Sequence, residues 1–232
     1  MNFVKFISYS IIELIDKYIH KKKIIFYLKE ILNKPKLIID VGAHKGSYTD
    51  LFLKFNNKSQ MYLFEPNPYL YKNLHIKYIR KKNFEIFNYG IGEKQSKEKF
   101  LINKNSDYVS SFSKINQKSK YLLIRNLVFG SLVNKIEEKK VLIKKLDSLT
   151  FLKNKKIDLL KIDVEGYEEK VVNGGSKILR NTKVLLIEFH KDDMYTDFNH
   201  KRLHKKLLKL NFKLFKAIKF PLMNWEDRIY IR

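Results

Sequence analysis

The sequence predicts an α/β fold, a Rossmann-like and mostly parallel seven-stranded sheet with helices on both faces. Two observations lead there. Seven short apolar runs of strand length recur along the chain, and most are separated by segments whose apolar residues repeat at helical spacing. The first run, "LIIDVG", also ends on an acid, Asp40, and passes into a turn framed by Gly42 and Gly46, the form of a strand that feeds a helix beside a ligand. A chain of 232 residues suits one large domain better than two small ones.

The elements follow in order. At the N-terminus, Phe3, Ile7, Ile11, Leu14, Ile15, Tyr18 and Ile19 recur at helical spacing and predict a helix packed on the domain. An interfacial helix with Lys17 and Lys21 to Lys23 near anionic lipid is the alternative. Pro35 bounds the first strand, and residues 47–55 read as a helix capped by Ser47. "QMYLFEP" is a second strand stopped by Pro66, followed by a helix from Tyr69 to Tyr78. "FEIFNYGIG" is a third strand and "KIDLLKIDVEG" a fourth. A short helix over Glu168 to Val172 and a fifth strand, "KVLLIEFH", come next. Lys201 to Leu210 has helical leucine spacing, and "FKLFKAI" and "RIYIR" close the sheet. The organisation expected is an N-terminal helical extension, 1–34, and one domain, 35–232, with a variable insertion around 96–140. That insertion holds a hairpin near "KEKFLIN", a polar stretch, and the apolar element "YLLIRNLVFGSLV".

Composition narrows the function classes. There is no cysteine, which excludes disulfides and thiolate metal sites and allows a reducing compartment. The formal charge of +24 invites a nucleic-acid reading, but all except six of the 48 basic residues are lysine. Arginine is the side chain suited to bidentate phosphate contacts, and the lysines are spread out, so composition rather than polymer binding is the expected source of the charge. Glu13 and Asp16 interrupt the N-terminal apolar run short of a membrane span, and no small-residue cleavage site follows it.

The acid and the glycine turn carry the chemistry. In an open parallel sheet, ligands bind outside the carboxyl ends of the strands. Glu65, at the end of the second strand, stands about 20 residues after the turn, the spacing at which an acid reaches ribose hydroxyls. A nicotinamide dinucleotide wants G-x-G-x-x-G for its pyrophosphate, whereas here Ala43 and His44 occupy the turn and Asp40 would repel phosphate. S-adenosylmethionine has no phosphate and carries an ammonium and a sulfonium that a carboxylate attracts, so the strand-end acid favours the methyl donor. Further along, "LLKIDVEGYEE" gathers Lys161, Asp163, Glu165 and Glu168 around a turn at Gly166, and Glu188 and His190 close the next strand. Charges are rarely buried unpartnered, so acids at several strand ends point to a site.

At these residues the chain resembles the FkbM-type S-adenosylmethionine-dependent methyltransferases. "IIDVGAHKGSYT", "LFEPNPYLYKNL", "YGIGEK", "LDSL", "IDLLKIDVEGYEEKVVNGG" and "LLIEFH" match that family's successive motifs from about 36 to 190. The resemblance implies the class I methyltransferase fold and, usually, methyl transfer to a hydroxyl of a sugar, glycan or polyketide-type product, with a glycan or glycolipid precursor the acceptor expected on family grounds. It implies that Asp40, Gly42, Ala43, His44 and Gly46 line the methionine part of the donor, and that Glu65, with Pro66, holds the ribose. Gly90, Ile91 and Gly92 lie near the adenine, and Asp163, Glu165 and Glu168 beside the transferring methyl. Tyr167 stands where a small residue is common and reshapes the pocket. Asp163 is the first candidate base, then Glu188 or His190, with Lys161 holding the acid or touching substrate. An RNA 2′-O-methyltransferase and a non-catalytic scaffold are the alternatives. No metal is required by the spacing, although carboxylates could hold a divalent ion. A cytoplasmic chain that touches membranes only peripherally, through its first helix, is expected.

Overall fold

The computed structural model describes residues 10–103, 110–129, 136–191, 193–221 and 223–232. Phe3 and Ile7 of the expected first helix, and parts of the polar stretch and apolar element of the insertion, lie outside them.

A helical segment begins the described chain at residue 10, passes through a π turn at Asp16–His20 and continues as α1 (Lys21–Ile31). Then come β1 (Leu37–Val41), α2 (Ser47–Phe52), β2 (Gln60–Phe64), α3 (Pro68–Tyr78), β3 (Phe84–Phe87), β4 (Gly90–Ile91), β5 (Ser96–Asn103), α4 (Lys120–Phe129) and β6 (Ile136–Lys144). The chain ends with β7 (Ile157–Ile162), α5 (Glu168–Gly174), α6 (Ser176–Arg180), β8 (Thr182–His190), α7 (His200–Lys209), β9 (Lys213–Lys219) and β10 (Trp225–Ile231).

Seven strands form one sheet in the order β3-β2-β1-β7-β8-β10-β9, parallel except that β10 runs antiparallel to both its neighbours. The chain leaves β1 toward β2 and β3 and later returns to β7 on the other side, so the topological switch point lies between β1 and β7. β1 is buried along its whole length because helices cover both faces, which is why "LIIDV" reads as a continuous apolar run broken only by Asp40. The period of two divides it. Leu37, Ile39 and Val41 face a core with Phe64, Leu160, Val171 and Leu203, whereas Ile38 faces the core that Ile24 and Leu28 of α1 enter. β9 is one edge of the sheet and β3 the other, and the exposed Lys213, Lys216 and Lys219 of β9 guard against pairing with another chain, one structural use of the lysine excess.

Four expectations change. Ser47 is the first residue of α2 and not its cap; Gly46, at φ +77, occupies the capping position. "FEIFNYGIG" divides into β3 of the large sheet and β4 of a small one ordered β4-β6-β5. The hairpin near "KEKFLIN" reduces to one antiparallel bridge, Leu101 with Ser111, while the full ladder of β5 runs antiparallel to the distant β6. The N-terminal apolar stripe is not the packed face either. Ile11, Leu14, Tyr18 and Ile19 are exposed, and the residues turned inward follow a four-residue step from Asp16 through buried His20, Ile24 and Leu28. His20 can be buried there because Asp227 of β10 meets it at 2.7 Å. Among the described residues no helix is long and apolar enough to cross a membrane.

Candidate active site

The cavity at the carboxyl ends of the strands begins with the turn after β1. Gly42 adopts φ +81, and a Cβ there would fall 1.9 Å from the carbonyl oxygen of Asp163, so the β1 and β7 loops meet backbone against backbone. The N–H groups of Gly42 and Ala43 both donate to the Phe64 carbonyl, at 3.0 and 3.1 Å, which fixes the turn to the end of β2.

Glu65 follows directly. Its Oε2 accepts from the His44 N–H at 2.8 Å and its Oε1 from the Asn67 N–H at 2.9 Å, while the residue also lines the cavity. Burial raises its pKa to about 7 despite those two donors. Ala43, His44, Pro66, Gly90, Ile91 and Tyr167 complete this end together with Phe64, Tyr89, Phe112 and Val164. Tyr167 turns its hydroxyl to Glu98, donating at 2.9 Å, and packs its ring against Phe112.

Asp40 departs from expectation. It is fully buried and forms no part of the cavity wall, since it lies on the Ile38 face of β1, beneath α2. Thr49 donates to its Oδ2 at 2.8 Å and Lys161 to its Oδ1 at 3.0 Å. Lys161, opposite Asp40 in the β1–β7 ladder, also donates to the Gly42 carbonyl at 3.0 Å and lies 3.3 Å from Asp163 Oδ2. Burial opposes the ammonium, but Asp163 and Asp40 outweigh it and hold the Lys161 pKa above the usual lysine range. One buried cation therefore ties the glycine turn to the acid that ends β7. Asp40 meets the turn through this cation and does not border the cavity.

Gly46, Gly92 and Glu168 also stand behind the wall. Tyr78 donates its hydroxyl to the Gly46 carbonyl at 3.0 Å, and Gly92 packs against Gly174. Glu168 accepts at Oε1 from the Val164 and Gly166 N–H groups, at 3.0 and 3.2 Å, so it shapes the turn after β7 and does not reach into the cavity.

Asp163, Glu165, Glu188 and His190 are brought together on the wall. Glu188 and His190 are two apart on β8 and point to one side of the sheet, with Nε2 and Oε2 2.9 Å apart. Glu165 has φ +55, and Tyr195 donates to its Oε2 at 2.6 Å. Burial, followed by Glu188, pushes the Glu165 pKa well above the carboxylate range; burial, followed by Asp163 and Asp227, does the same for Glu188.

Sequence reasoning missed the far end. Asp227, Trp225, Phe220 and Met223 line it from the closing strands, and Ile12, Glu13 and Asp16 from the N-terminal segment. The signal was present in "WEDRIYI", where two acids interrupt a strand that the apolar pattern buries. Among the described residues the wall carries seven carboxylate residues, Glu13, Asp16, Glu65, Asp163, Glu165, Glu188 and Asp227, against Lys21 and Lys161. A chain of net charge +24 thus encloses an acidic cavity.

The methyltransferase FkbM domain model matches residues 40–214. The 2-O-methyltransferase NoeI of Sinorhizobium fredii (strain NBRC 101917 / NGR234) is 25% identical over 173 residues, covering 71% of this chain and 68% of that protein. An rRNA methylase from Streptococcus thermophilus shares the fold with a TM-score of 0.50 at 10% identity, over 90% of this chain and 93% of that one.

Proposed function

Because the chain belongs to the FkbM methyltransferase family and is therefore an S-adenosylmethionine-dependent methyltransferase, we propose that it methylates a hydroxyl oxygen of a neutral sugar in a glycan or glycolipid precursor. The observation that carries this reading is the make-up of the cavity wall. Among the described residues its seven carboxylate residues offer acceptors to the donor's ammonium and to the hydroxyls of a sugar, and only Lys21 and Lys161 would meet the phosphates of an RNA acceptor. The partly exposed Trp225 ring, stacked on the buried Phe220 ring with centroids 4.3 Å apart, offers an apolar surface for a sugar ring. The name of the 2-O-methyltransferase relative supports oxygen as the acceptor atom.

The donor would lie across the β1 and β2 turns. Glu65 would accept from the ribose hydroxyls, Gly90 and Ile91 would flank the adenine, and the Gly42 to His44 turn would carry the methionine part. Bound there, S-adenosylmethionine would supply the methyl group, its carbon–sulfur bond breaking with the electron pair left on sulfur as a carbon–oxygen bond forms. Asp163, on the same wall, would orient the acceptor hydroxyl and take up its proton. Lys161, on the same wall and 3.3 Å from Asp163 Oδ2, would hold the acid in place.

The test is incubation with S-adenosylmethionine and, separately, simple methyl glycosides, a glycolipid extract and an RNA transcript, with products read by mass spectrometry. A mass gain of one methylene on a glycoside or glycolipid is expected, and it should be lost in Asp163→Asn while S-adenosylhomocysteine still binds. Methylation of RNA alone would overturn the reading.

A further inference from the structure

Glu165, Glu188 and His190 are set out as ligands around a common point. One ligand atom from each, two carboxylate oxygens and an imidazole nitrogen, lies within 4.8 Å of the other two. Ligands held about 2.0–2.6 Å from a divalent cation stand no more than about 4–5 Å apart, so the three can share one ion with little movement.

A second observation points the same way. Glu188 is 8% exposed and His190 5%, yet Glu188 Oε2 and His190 Nε2 make no hydrogen bond. They approach to 2.9 Å out of line for one, and both residues border the cavity. Two buried polar atoms left unsatisfied are costly, and a shared ligand would satisfy both. The surroundings also fix the donors. Tyr195 donates to Glu165 Oε2, Ser111 donates to the Glu165 carbonyl at 2.6 Å, and the Tyr195 ring stands edge-on to His190 with centroids 4.8 Å apart. Such outer contacts orient metal ligands. Strand alternation places Glu188 and His190 on one side of β8, and the turn after the adjacent β7 swings Glu165 toward them.

We propose that Glu165, Glu188 and His190 form a divalent-cation site in the acceptor half of the cavity. The mixed nitrogen and oxygen set suits manganese or zinc better than magnesium, which prefers oxygen alone. Its catalytic part rests on the O-methyl transfer reading: a cation there polarises the acceptor hydroxyl, so that its proton leaves to Asp163 more readily. The binding claim stands apart from that reading.

The experiment titrates Mn²⁺ into the full chain by electron paramagnetic resonance, with S-adenosylhomocysteine present and absent. Saturable binding of one ion per chain is expected, weakened at least tenfold in Glu188→Gln and in His190→Ala, with the affinity for S-adenosylhomocysteine unchanged. No saturable Mn²⁺ binding by the wild type, or equal binding by both variants, overturns the site. Crystals of the wild type soaked in Mn²⁺ give a reading that needs no variant: an anomalous peak among the three side chains supports the site, and its absence overturns it. A chain that methylates glycosides yet binds no Mn²⁺ overturns this inference alone. One that binds Mn²⁺ but methylates another class of acceptor leaves the site standing.

Discussion

His20 Nε2 meets Asp227 Oδ2 at 2.7 Å and so joins the segment before the first strand to the last strand of the sheet. Tyr48 donates to the same oxygen at 3.3 Å. Asp227 needs both, because it stands directly opposite Glu188 in the antiparallel β8–β10 ladder, where like charges repel. Replacing His20 by alanine removes the closest partner and leaves a buried acid beside another acid. His20→Ala is expected to lose about 2–4 kcal/mol in urea unfolding and to speed proteolysis within residues 10–20, with S-adenosylhomocysteine affinity held within twofold. Unchanged stability would show that the pair contributes nothing and that the first helix is held by Ile24 and Leu28 alone.

Glu65 gives a pH signature. Ribose hydroxyls donate more strongly to a carboxylate than to a carboxylic acid, and burial has brought this group to about 7. Donor affinity should therefore rise as pH increases through 7 and level off above it. Glu65→Gln should bind roughly tenfold or more weakly at pH 8 and show no such rise, as read by calorimetry with S-adenosylhomocysteine. Stability runs the opposite way. Since the folded pKa lies above the ordinary 4.5, the native state keeps a proton that the unfolded chain gives up, so this contribution is complete below 4.5 and is lost as pH climbs through 7. A flat affinity profile in the wild type would remove Glu65 from the donor site.

What the sequence made legible follows from periodicity and spacing. Continuous apolar runs such as "LIIDV" betray strands buried on both faces, and Glu65 was found because a strand end is followed by proline at a fixed distance from a glycine turn. The side of a strand on which an acid falls is harder to read when both faces are apolar. Asp40 looked like a wall residue for that reason, and only its pairing with Lys161 across the ladder shows which face it takes. Long-range partners leave no local trace. Nothing in "KEKFLIN" announces that its strand pairs with Ile136–Lys144, and nothing in the first helix announces that His20 meets an acid of β10.

The Lys161 bridge makes a sharper test of what ties the glycine turn to Asp163. Lys161→Met leaves Asp40 buried without its cation, which should cost about 3–5 kcal/mol in denaturant unfolding. Adding Asp40→Asn removes the uncompensated charge, so the double variant should recover much of the stability, a coupling that independent sites would not show. Activity should stay lost in both, because Lys161 also holds the Gly42 carbonyl and Asp163. Additive losses of stability would mean that the pair is not a unit.

The exposed face of the first helical segment sets the last expectation. Its inward residues are Asp16, His20, Ile24 and Leu28, so the apolar side chains they displace point outward: Leu14 is 54% and Phe26 61% exposed, and Ile11, Tyr18 and Ile19 are exposed with them. Lys17, Lys22 and Lys23 are exposed on the same segment. A soluble surface gains nothing from such a cluster, whereas a bilayer with anionic headgroups would take up the apolar side chains and attract the lysines. A precursor carried on a lipid would then meet the cavity where Ile12, Glu13 and Asp16 border it. Vesicles containing phosphatidylglycerol should co-sediment with the chain, neutral phosphatidylcholine vesicles should do so weakly, and added salt should reduce binding. Leu14→Glu together with Phe26→Glu should abolish sedimentation while leaving S-adenosylhomocysteine affinity intact, since neither residue borders the cavity. Equal binding by the double variant would assign any membrane attraction to the lysine-rich surface as a whole and take the first helix out of it.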